Sequence, residues 1–485
     1  MEKWREQSVN YASRFASNRG LSLISTLWIL TILSLLATQF LYSIRLEQRA
    51  QANFADRTKF HYTAKAGFER SVAMLRADET PYDSFNEEWT QGLEEQIEDG
   101  LRSGNSLTYQ VQITDEGSKI NINTADADVI RGLLSMVGYE EEEATEQPIA
   151  EAIVQGRPYH TVRDLARVEG MTQEILYGQQ QADTTGTAST LSEEGEDDQQ
   201  NTPGLIDLAT VYSIDKNTDA NGQQRINIKS ADSQQLTQLQ GGNNQSVFTQ
   251  GEAESLTQQQ DSINSIGDLL DVQAVSDQIF DNIRDRISVD SNEDNQDMVN
   301  INTGDEGQLQ TLDGIDQGIA QRIIAHRDNQ GNFQDVDQLK DAKLVTTDEF
   351  KNIVDKITTT DDETINGLIN INTASQEILQ LLSGMDEQKA QAIIDRRETT
   401  PENNQQSQGE GEEEGNPFTD IGQLLDVQGI DVGTFRQISN LVTYRSHGFL
   451  IEATGVDSRG KAIATCVGVV DRTGEQIAIR YWKQN

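Results

Sequence analysis

The sequence predicts an α+β protein, in which a long N-terminal helix packs on an antiparallel sheet and a large all-helical insertion interrupts that sheet. Three observations predict this fold. First, an apolar run long enough for a helix that crosses a membrane lies near the N-terminus. Second, apolar and polar residues alternate in two regions, one at about 107–123 and one near the C-terminus. Third, one helical pattern recurs four times between these two regions. A chain of 485 residues is long enough for two or three folding units.

The composition is strongly acidic, with 38 Lys and Arg against 80 Asp and Glu and a formal net charge of −42. Such a surface disfavours general DNA binding, because nucleic-acid affinity rests largely on Lys and Arg contacts to phosphates. Cys466 is the one cysteine, so no disulfide can form within the chain. The four histidines are scattered and no motif of a catalytic site is present, so we predict that the chain is not an enzyme.

The N-terminal segment predicts a membrane anchor. Residues 1–19 are polar and basic, and a run without charges follows from Gly20 to Ile44. As a helix this run is roughly 35–38 Å long, which is enough to cross a bilayer. Because basic residues precede the run (Lys3, Arg5, Arg14 and Arg19), we expect the N-terminus to stay in the cytoplasm.

A cleavable secretory signal is the competing interpretation of this run. It would need small residues at a cut site, whereas the run ends in Gln39-Phe40-Leu41-Tyr42-Ser43-Ile44. Apolar residues also continue beyond it at near-helical spacing, at Leu46, Phe54, Phe60, Ala64, Phe68, Val72 and Leu75. We therefore predict one long helix over 21–78 with a transmembrane part at 21–44. A plain single-pass anchor explains that helix equally well.

The sheet is predicted from both ends of the chain. Leu107–Ile113 alternate as a half-buried strand does, Asp115–Ser118 is a turn, and 119–123 is the predicted returning strand. Three C-terminal strands are predicted at 449–454, 462–470 and 476–482. A lone hairpin is marginally stable, so we expect 79–123 and 446–485 to form one sheet on the long helix.

The insertion, at 124–445, is repetitive. Asn121-Ile122-Asn123-Thr124 recurs in similar form at 227–230, 300–303 and 370–373, and each copy ends in a Thr or Ser that we expect to cap the next helix. Thr303 with Glu306, and Thr373 with Gln376, fit reciprocal capping. We predict four helical units at about 121–180, 225–290, 299–358 and 368–445. Two tracts rich in Gln, Gly and Glu, at 192–200 and 405–415, are predicted mobile loops.

Each unit also carries apolar residues at positions i, i+3 and i+6, a spacing that predicts a packed helical face. The four sets are Tyr159/Val162/Leu165, Ile263/Ile266/Leu269, Phe333/Val336/Leu339 and Phe418/Ile421/Leu424.

Two segments, 312–323 and 382–390, resemble helix-hairpin-helix motifs. In versions that bind DNA, hairpin amides and nearby basic residues hold a phosphate. Here Asp316 or Asp386 lies beside the hairpin glycine, which is more simply a tight-turn residue. A nucleic-acid partner is therefore disfavoured. A membrane-anchored helix-hairpin-helix DNA receptor of a competence or type IV pilus system remains the alternative function.

The N-terminal segment resembles those of type IV pilins and pseudopilins. Their precursors carry a short basic leader ending in Gly, which a prepilin peptidase cuts on the cytoplasmic side before the new N-terminus is methylated. The resemblance implies a leader at 1–20, cleavage between Gly20 and Leu21, and a mature chain that starts at Leu21.

The fifth mature residue narrows the resemblance. It is normally Glu, which is thought to neutralise the N-terminal amine of a neighbouring subunit, because a buried ammonium without a partner is costly. Here it is Ser25. The K-type minor pseudopilins of type II secretion systems characteristically lack this Glu, and 62–69 and 77–89 are similar to their sequences as well.

The resemblance implies a pseudopilin fold and a role in assembly at the tip of the pseudopilus, in support of protein export across the outer membrane. The implied partners are other minor pseudopilins, prepilin peptidase and the inner membrane, with secreted proteins or the outer-membrane channel as further contacts. The C-terminal domain would be periplasmic. The family includes calcium-binding members, so calcium is a candidate ligand, but no metal-binding residues can be assigned from this sequence.

Overall fold

The computed structural model describes residues 18–98, 106–140, 148–178, 203–241, 245–289, 299–302, 304–331, 333, 336, 338–358, 364–399, 415–457, 459–474 and 476–484. Most of the predicted leader and both predicted mobile loops, apart from Gly415, lie outside these residues.

The N-terminal helix α1 runs without a break from Asn18 to Ala77. Its C-terminal part packs on the sheet through Ala64, Phe68 and Leu75, which are fully or almost fully buried. The predicted apolar stripe is therefore confirmed in that part. Leu46 and Phe54 are instead exposed, at 58% and 75%.

The sheet has five antiparallel strands in the order β1-β2-β3-β4-β5. They are β1 (Leu93–Glu98), β2 (Ser106–Asp115), β3 (Gly448–Val456), β4 (Ala462–Asp471) and β5 (Ala478–Gln484). Strand β2 pairs directly with β3, and Ile113 lies opposite Ile451. The predicted α+β class, with both ends of the chain in one sheet on the long helix, is confirmed.

The returning strand predicted at 119–123 is wrong. After β2 the chain makes a 3-10 turn at Glu116–Ser118, and Ile120–Asn121 then pairs in parallel with Ala209–Thr210. The outer neighbour of β2 is β1 instead. The reason is burial, because Ile120 and Ile122 belong to the core of the insertion and not to the sheet.

Glycines allow close contact between α1 and the sheet. A Cβ atom on Gly67 would lie 2.9 Å from the side chains of Tyr109 and Val111. On the sheet side, a Cβ atom on Gly455 would lie 2.4 Å from the carbonyl oxygen of Phe60. The helix backbone therefore rests almost directly on the strands.

Four helical units lie between β2 and β3, and each is closed by two-residue parallel strands at its start and end. These pairs are Ile120–Asn121 with Ala209–Thr210, Ile226–Asn227 with Ile287–Ser288, Val299–Asn300 with Ile357–Thr358, and Ile369–Asn370 with Val442–Thr443. Outside the units, Ile214–Lys216 pairs with Thr364–Asn366.

The helices of the insertion are short. The α-helices are Ala127–Met136, Ile149–Gln155, Gln173–Tyr177 and Leu205–Leu208 in unit one; Ser233–Gln238, Gln250–Thr257 and Asp277–Ile283 in unit two; Glu306–Leu309, Gln317–Gln330, Gln338–Asp341 and Thr347–Ile353 in unit three; and Gln376–Gln380, Glu387–Glu398 and Val432–Ile438 in unit four. The 3-10 helices are Glu88–Gln91 before the sheet and Val162–Arg167, Gln260–Ser262, Ile266–Asp271, Val354–Lys356 and Ile421–Asp426 within the units.

The predicted i, i+3, i+6 sets pack as expected. Their last members, Leu165, Leu269, Leu339 and Leu424, are fully buried. In units one, two and four the second and third members lie on a 3-10 helix, whose three residues per turn place this spacing on one face.

The helix caps differ from the prediction. The first helix of each unit is capped by Asp126, Asp232, Asp305 or Ser375, two residues beyond the predicted Thr or Ser. The cap predicted at Thr373 is wrong, because this side chain donates to Asp115. The Asn at the start of each motif bends the chain first, by accepting a hydrogen bond from the amide two residues on. Thr303 lies outside the described residues.

Units one, two and four share one apolar core, and unit three has its own. Unit four lies between units one and two. Gly132 of unit one faces Leu381, the residue at the equivalent position of unit four. On the other side, Phe280 of unit two and its equivalent Phe435 meet edge to face with ring centroids 6.2 Å apart. Both contacts thus relate equivalent positions of two units.

Candidate membrane anchor and assembly surface

The N-terminal part of α1 is a bare apolar surface. From Leu23 to Tyr42 the side chains are exposed, including Leu23 at 70%, Trp28 at 64% and Leu35 at 68%. An 18-residue window of this helix has a mean hydropathy of 1.8, and none of it is buried in the protein. Apolar surface costs about 25 cal/mol per Å² in water, so this segment needs an apolar environment. By length and composition it fits a single-pass membrane anchor.

The predicted processing residues lie at the start of this helix. Gly20 and Leu21 are in the first turn of α1, and their side chains are not described. Ser25 follows within about two turns, with an exposed side chain on the apolar stretch. Cleavage between Gly20 and Leu21, and a special role of Ser25, stay predictions.

The C-terminal end of α1 is held by a buried arginine that the sequence did not single out. Arg472, from the turn after β4, donates to Asp78 Oδ2 at 2.8 Å and to Asp83 Oδ2 at 2.7 Å. The amide of Ser446 also donates to Asp83, at 2.7 Å. Burial raises the pKa of Asp83 to about 8, although Arg472 beside it lowers that pKa.

A second buried carboxylate joins the sheet to unit four. Asp115, at the end of β2, accepts hydrogen bonds from Asn370 Nδ2 at 2.9 Å and from Thr373 Oγ1 at 2.5 Å. Burial raises the pKa of Asp115, against the lowering by these hydrogen bonds. Asn370 Nδ2 also donates to the Asp83 carbonyl at 3.0 Å. We call Asp78, Asp83, Asp115, Asn370 and Arg472 the junction cluster, because they connect helix, sheet and unit four.

The junction cluster also bears on metal binding. Oxygens of Asp78, Asp83 and Glu87 lie within 4.8 Å of one another, near enough to hold an ion. Arg472 already donates to two of these carboxylates. Its guanidinium thus compensates the negative charge of these carboxylates, as a bound cation would. Calcium binding stays a prediction without assigned residues.

A third set of buried polar residues, Asp215, Arg445 and His447, connects the loop between units one and two to the end of unit four. Arg445 Nε lies 3.0 Å from Asp215 Oδ1, and His447 Nδ1 lies 3.1 Å from the same oxygen. Arg445 also donates to the carbonyls of Lys216 and Asp219. Burial alone would raise the pKa of Asp215, yet Arg445 and His447 hold it well below its usual range.

In each of the two hairpins that resemble helix-hairpin-helix motifs, a glycine makes the turn and an aspartate caps the helix that follows. Gly314 and Gly384 have φ angles of 88° and 77°, which confirms them as turn residues. Asp316 Oδ1 accepts from the amide of Ile319 at 2.8 Å, and Asp386 Oδ1 accepts from that of Lys389 at 2.9 Å. A carboxylate therefore caps the helix after each hairpin and adds negative charge there.

The signals that predict these sites differ in strength. The anchor could be predicted because its charge-free run is unbroken. The junction cluster could not, because Asp83 and Asp115 are two among many acidic residues and Arg472 is far away in the sequence. The hints were Asn370, as part of the recurring motif, and the segment 77–89, which contains Asp78 and Asp83.

Two known families match parts of this chain. The family described as type II secretion system protein K matches residues 369–431, in unit four. The helix-hairpin-helix motif family matches residues 294–358, which include unit three.

Two individual proteins are also similar. The endonuclease/exonuclease/phosphatase family domain-containing protein 1 of Danio rerio is 30% identical over 119 residues, which is 21% of this chain and 22% of that protein. This chain therefore spans about a fifth of that relative's length. A second match is a chain in the crystal structure of the GspK-GspI-GspJ complex from the enterotoxigenic Escherichia coli type 2 secretion system. The alignment covers 90% of this chain and 99% of that chain, with 10% sequence identity and a TM-score of 0.29. A TM-score this low does not establish a shared fold.

Residues 369–431 of unit four are thus similar to type II secretion system protein K, and residues 294–358, which include unit three, are similar to the helix-hairpin-helix motif family.

Proposed function

We propose that this chain is a minor pseudopilin at the tip of a type II secretion pseudopilus. It would be anchored in the inner membrane with its N-terminus in the cytoplasm and its sheet and helical units in the periplasm. There it would assemble with other minor pseudopilins and support protein export across the outer membrane. The observation that carries the proposal is the match of residues 369–431 to protein K in a chain whose apolar helix is bare.

The proposed role is assembly and not catalysis. The helical units would lie at the far end from the membrane, where they could meet secreted proteins or the outer-membrane channel. Ser25 suits the tip, because a subunit without a carboxylate at this position cannot neutralise the N-terminal amine of a subunit above it.

Co-purification tests this function. A tagged chain, solubilised from membranes that contain the whole secretion system, should bring other minor pseudopilins with it, and deletion of its gene should abolish export. Normal export without the chain, together with no co-purified pseudopilin, would refute the proposal.

We further propose that prepilin peptidase removes residues 1–20. Gly20→Ala should then keep the leader, which adds its mass to the purified chain, whereas wild type should begin at Leu21. Normal processing of Gly20→Ala would show that the cleavage site is elsewhere. Ser25→Glu serves as a matched change near the site that should fold and be cut normally.

The alternative, a membrane-anchored DNA receptor, rests on the helix-hairpin-helix match. The carboxylates of Asp316 and Asp386 at the hairpin amides count against it. Binding to duplex DNA at moderate salt, with a steep loss of affinity as salt rises, would favour the receptor.

A further inference from the structure

The segment between units one and two gathers oxygen atoms in a buried place. Asp and Asn alternate along residues 215–222, at Asp215, Asn217, Asp219 and Asn221. Three of these residues, Asp215, Asn217 and Asp219, are at most 4% exposed. The segment folds back on itself, because Asp219 Oδ1 accepts from the amides of Asn221 at 2.9 Å and Gln223 at 2.8 Å. Oxygen ligands from one short stretch of chain are typical of loops that surround a cation.

The cation in this place is the guanidinium of Arg445. It donates to Asp215 Oδ1 at 3.0 Å and to the carbonyl oxygens of Lys216 at 3.0 Å and Asp219 at 3.1 Å. It also donates to the carbonyl oxygen of Thr218. Three carbonyls and one carboxylate within residues 215–219 thus face a single positive charge, whose side chain is only 9% exposed.

Three other arginines of the insertion make a smaller set of contacts. Arg157, Arg327 and Arg397 each donate to two carbonyls at the start of their own unit. Arg445 instead reaches a segment that is distant in the sequence, and it contacts a carboxylate as well as three carbonyls. Its oxygen shell is therefore the fuller one.

This shell has the chemistry of a calcium site. Carboxylate and backbone carbonyl oxygens are ligands that Ca²⁺ takes, in a flexible geometry and together with water. Oxygen atoms that converge on one point repel each other unless a positive charge lies between them. A cleft of about 360 Å³, lined by Thr218, Asp219 and Arg445 among others, lies beside the segment. A dissolved ion therefore has a route to these oxygens.

We propose that residues 215–222 form a cation cage that the chain fills with its own Arg445. Arg445 lies at the end of unit four, three residues before β3 begins at Gly448. The tethered charge thus holds the segment between units one and two to the point where the chain returns to the sheet, and it does so without a dissolved metal ion. When Arg445 is removed, the cage becomes a calcium site. This inference does not depend on the proposed function.

The test compares the full wild-type chain with Arg445→Ala and Arg327→Ala in a nonionic detergent. Arg327→Ala is the matched control, because it removes a guanidinium from two carbonyls of unit three. Thermal unfolding is followed with a chelator, with calcium, and with magnesium at the same ionic strength. We expect calcium to raise the Tm of Arg445→Ala by roughly 3–5 °C more than the Tm of wild type or of the control. Magnesium should not reproduce this gain, because it demands a near-ideal octahedron.

Terbium luminescence tests where the ion binds. The ring of Tyr444 lies 5.5 Å from the guanidinium carbon of Arg445, so excitation of tyrosine should sensitise terbium bound in the cage of Arg445→Ala. The further change Asp215→Asn removes the carboxylate of the cage. Arg445→Ala/Asp215→Asn should therefore lose both the luminescence and the calcium gain.

Each result decides for or against the cage. The proposal is overturned if calcium raises the Tm of Arg445→Ala no more than that of wild type, or if the double variant keeps the gain. Arg445→Gln repeats the measurement if Arg445→Ala does not fold with a chelator. Failure of both variants to fold even with calcium also counts against the cage, because an ion that replaces the guanidinium should restore it. None of these readouts involves companion pseudopilins or export.

Discussion

Single amide side chains close three of the four helical units. Asn123, Asn302 and Asn372 each donate to the carbonyl, and accept from the amide, of an aromatic residue in the second half of their unit. The aromatic partners are Tyr159, Phe333 and Phe418. Unit two has Lys229 at this position, which reaches Asn264 instead. The recurring motif is thus a hydrogen-bonding device that holds the halves of a unit together.

Replacement of the most buried of these amides should be costly. Asn372 is 1% exposed, and Asn372→Ala would leave the amide and carbonyl of Phe418 without its hydrogen bonds. We expect the free energy of unfolding to fall by about 2–4 kcal/mol, measured by urea titration. Lys229→Ala, at the equivalent position, should change it by less than about 0.5 kcal/mol. If both substitutions changed the free energy of unfolding equally, the hydrogen bonds between Asn372 and Phe418 would not stabilise unit four.

The buried Asp215 should make stability depend on pH. Its folded-state pKa lies below the value of about 3.9 for an unfolded chain, because Arg445 and His447 favour the ionised form. Its contribution is therefore present above that pH and is lost as pH falls toward the folded-state pKa. Asp215→Asn should cost about 3–5 kcal/mol at neutral pH, because Arg445 keeps its charge without a partner.

Denaturant titrations of wild type and Asp215→Asn at a series of pH values test this. The difference between the two proteins should shrink below about pH 4. A difference that stays constant down to about pH 2.5 would assign the cost to packing and not to the ion pair.

At the scale of elements, α1 and the sheet depend on glycines at their contact. A Cβ atom on Gly455 would lie 2.4 Å from the backbone carbonyl of Phe60, and backbone cannot move aside as a flexible side chain can. Gly455→Val should therefore push the helix off β3 and cost about 2 kcal/mol or more. Unfolding monitored by Trp fluorescence would measure this, since Trp482 packs on Phe68 of α1 and Trp89 packs on Phe449 of β3.

Gly251→Ala is the matched control for that change. Gly251 lies within the helix Gln250–Thr257, and a Cβ atom there would have no heavy atom within 4 Å. Alanine favours a helix over glycine by about 1 kcal/mol, so we expect a neutral or stabilising effect. A destabilised control with an unaffected Gly455→Val would contradict the importance of the close contact.

The elements also show what the sequence could predict. The three C-terminal strands alternate clearly and lie within two residues of their predicted bounds. Strand β1 was missed, because Leu93-Glu94-Glu95-Gln96-Ile97-Glu98 carries three acidic residues, which are rare in strands. The residues at 119–123 look like a strand locally, but their burial among helices is decided by contacts that are distant in the sequence. The junction cluster was beyond prediction for the same reason.

At the scale of the whole molecule, unit three stands apart from the other units. Its apolar core consists of residues between Ile301 and Ile357, whereas units one, two and four share a single core. A unit with a private core does not need its neighbours to bury its apolar side chains.

We therefore expect a fragment spanning 294–358 to fold alone, with helical circular dichroism and a cooperative thermal transition. A fragment spanning 225–290 serves as the control and should not fold, because unit two buries its apolar residues against unit four. The full chain without 294–358 should keep its stability. A folded unit two with an unfolded unit three would contradict this division of the core.

The parallel strand pairs that close the units have a consequence for how this chain arose. Each unit ends beside the point where it begins. The positions of the backbone before and after the unit therefore do not depend on the number of residues within it. Gene duplication can add such a closed loop, and deletion can remove one, without stretching the chain on either side. The chain can thus lengthen by whole modules while the long helix and the five-stranded sheet stay the same.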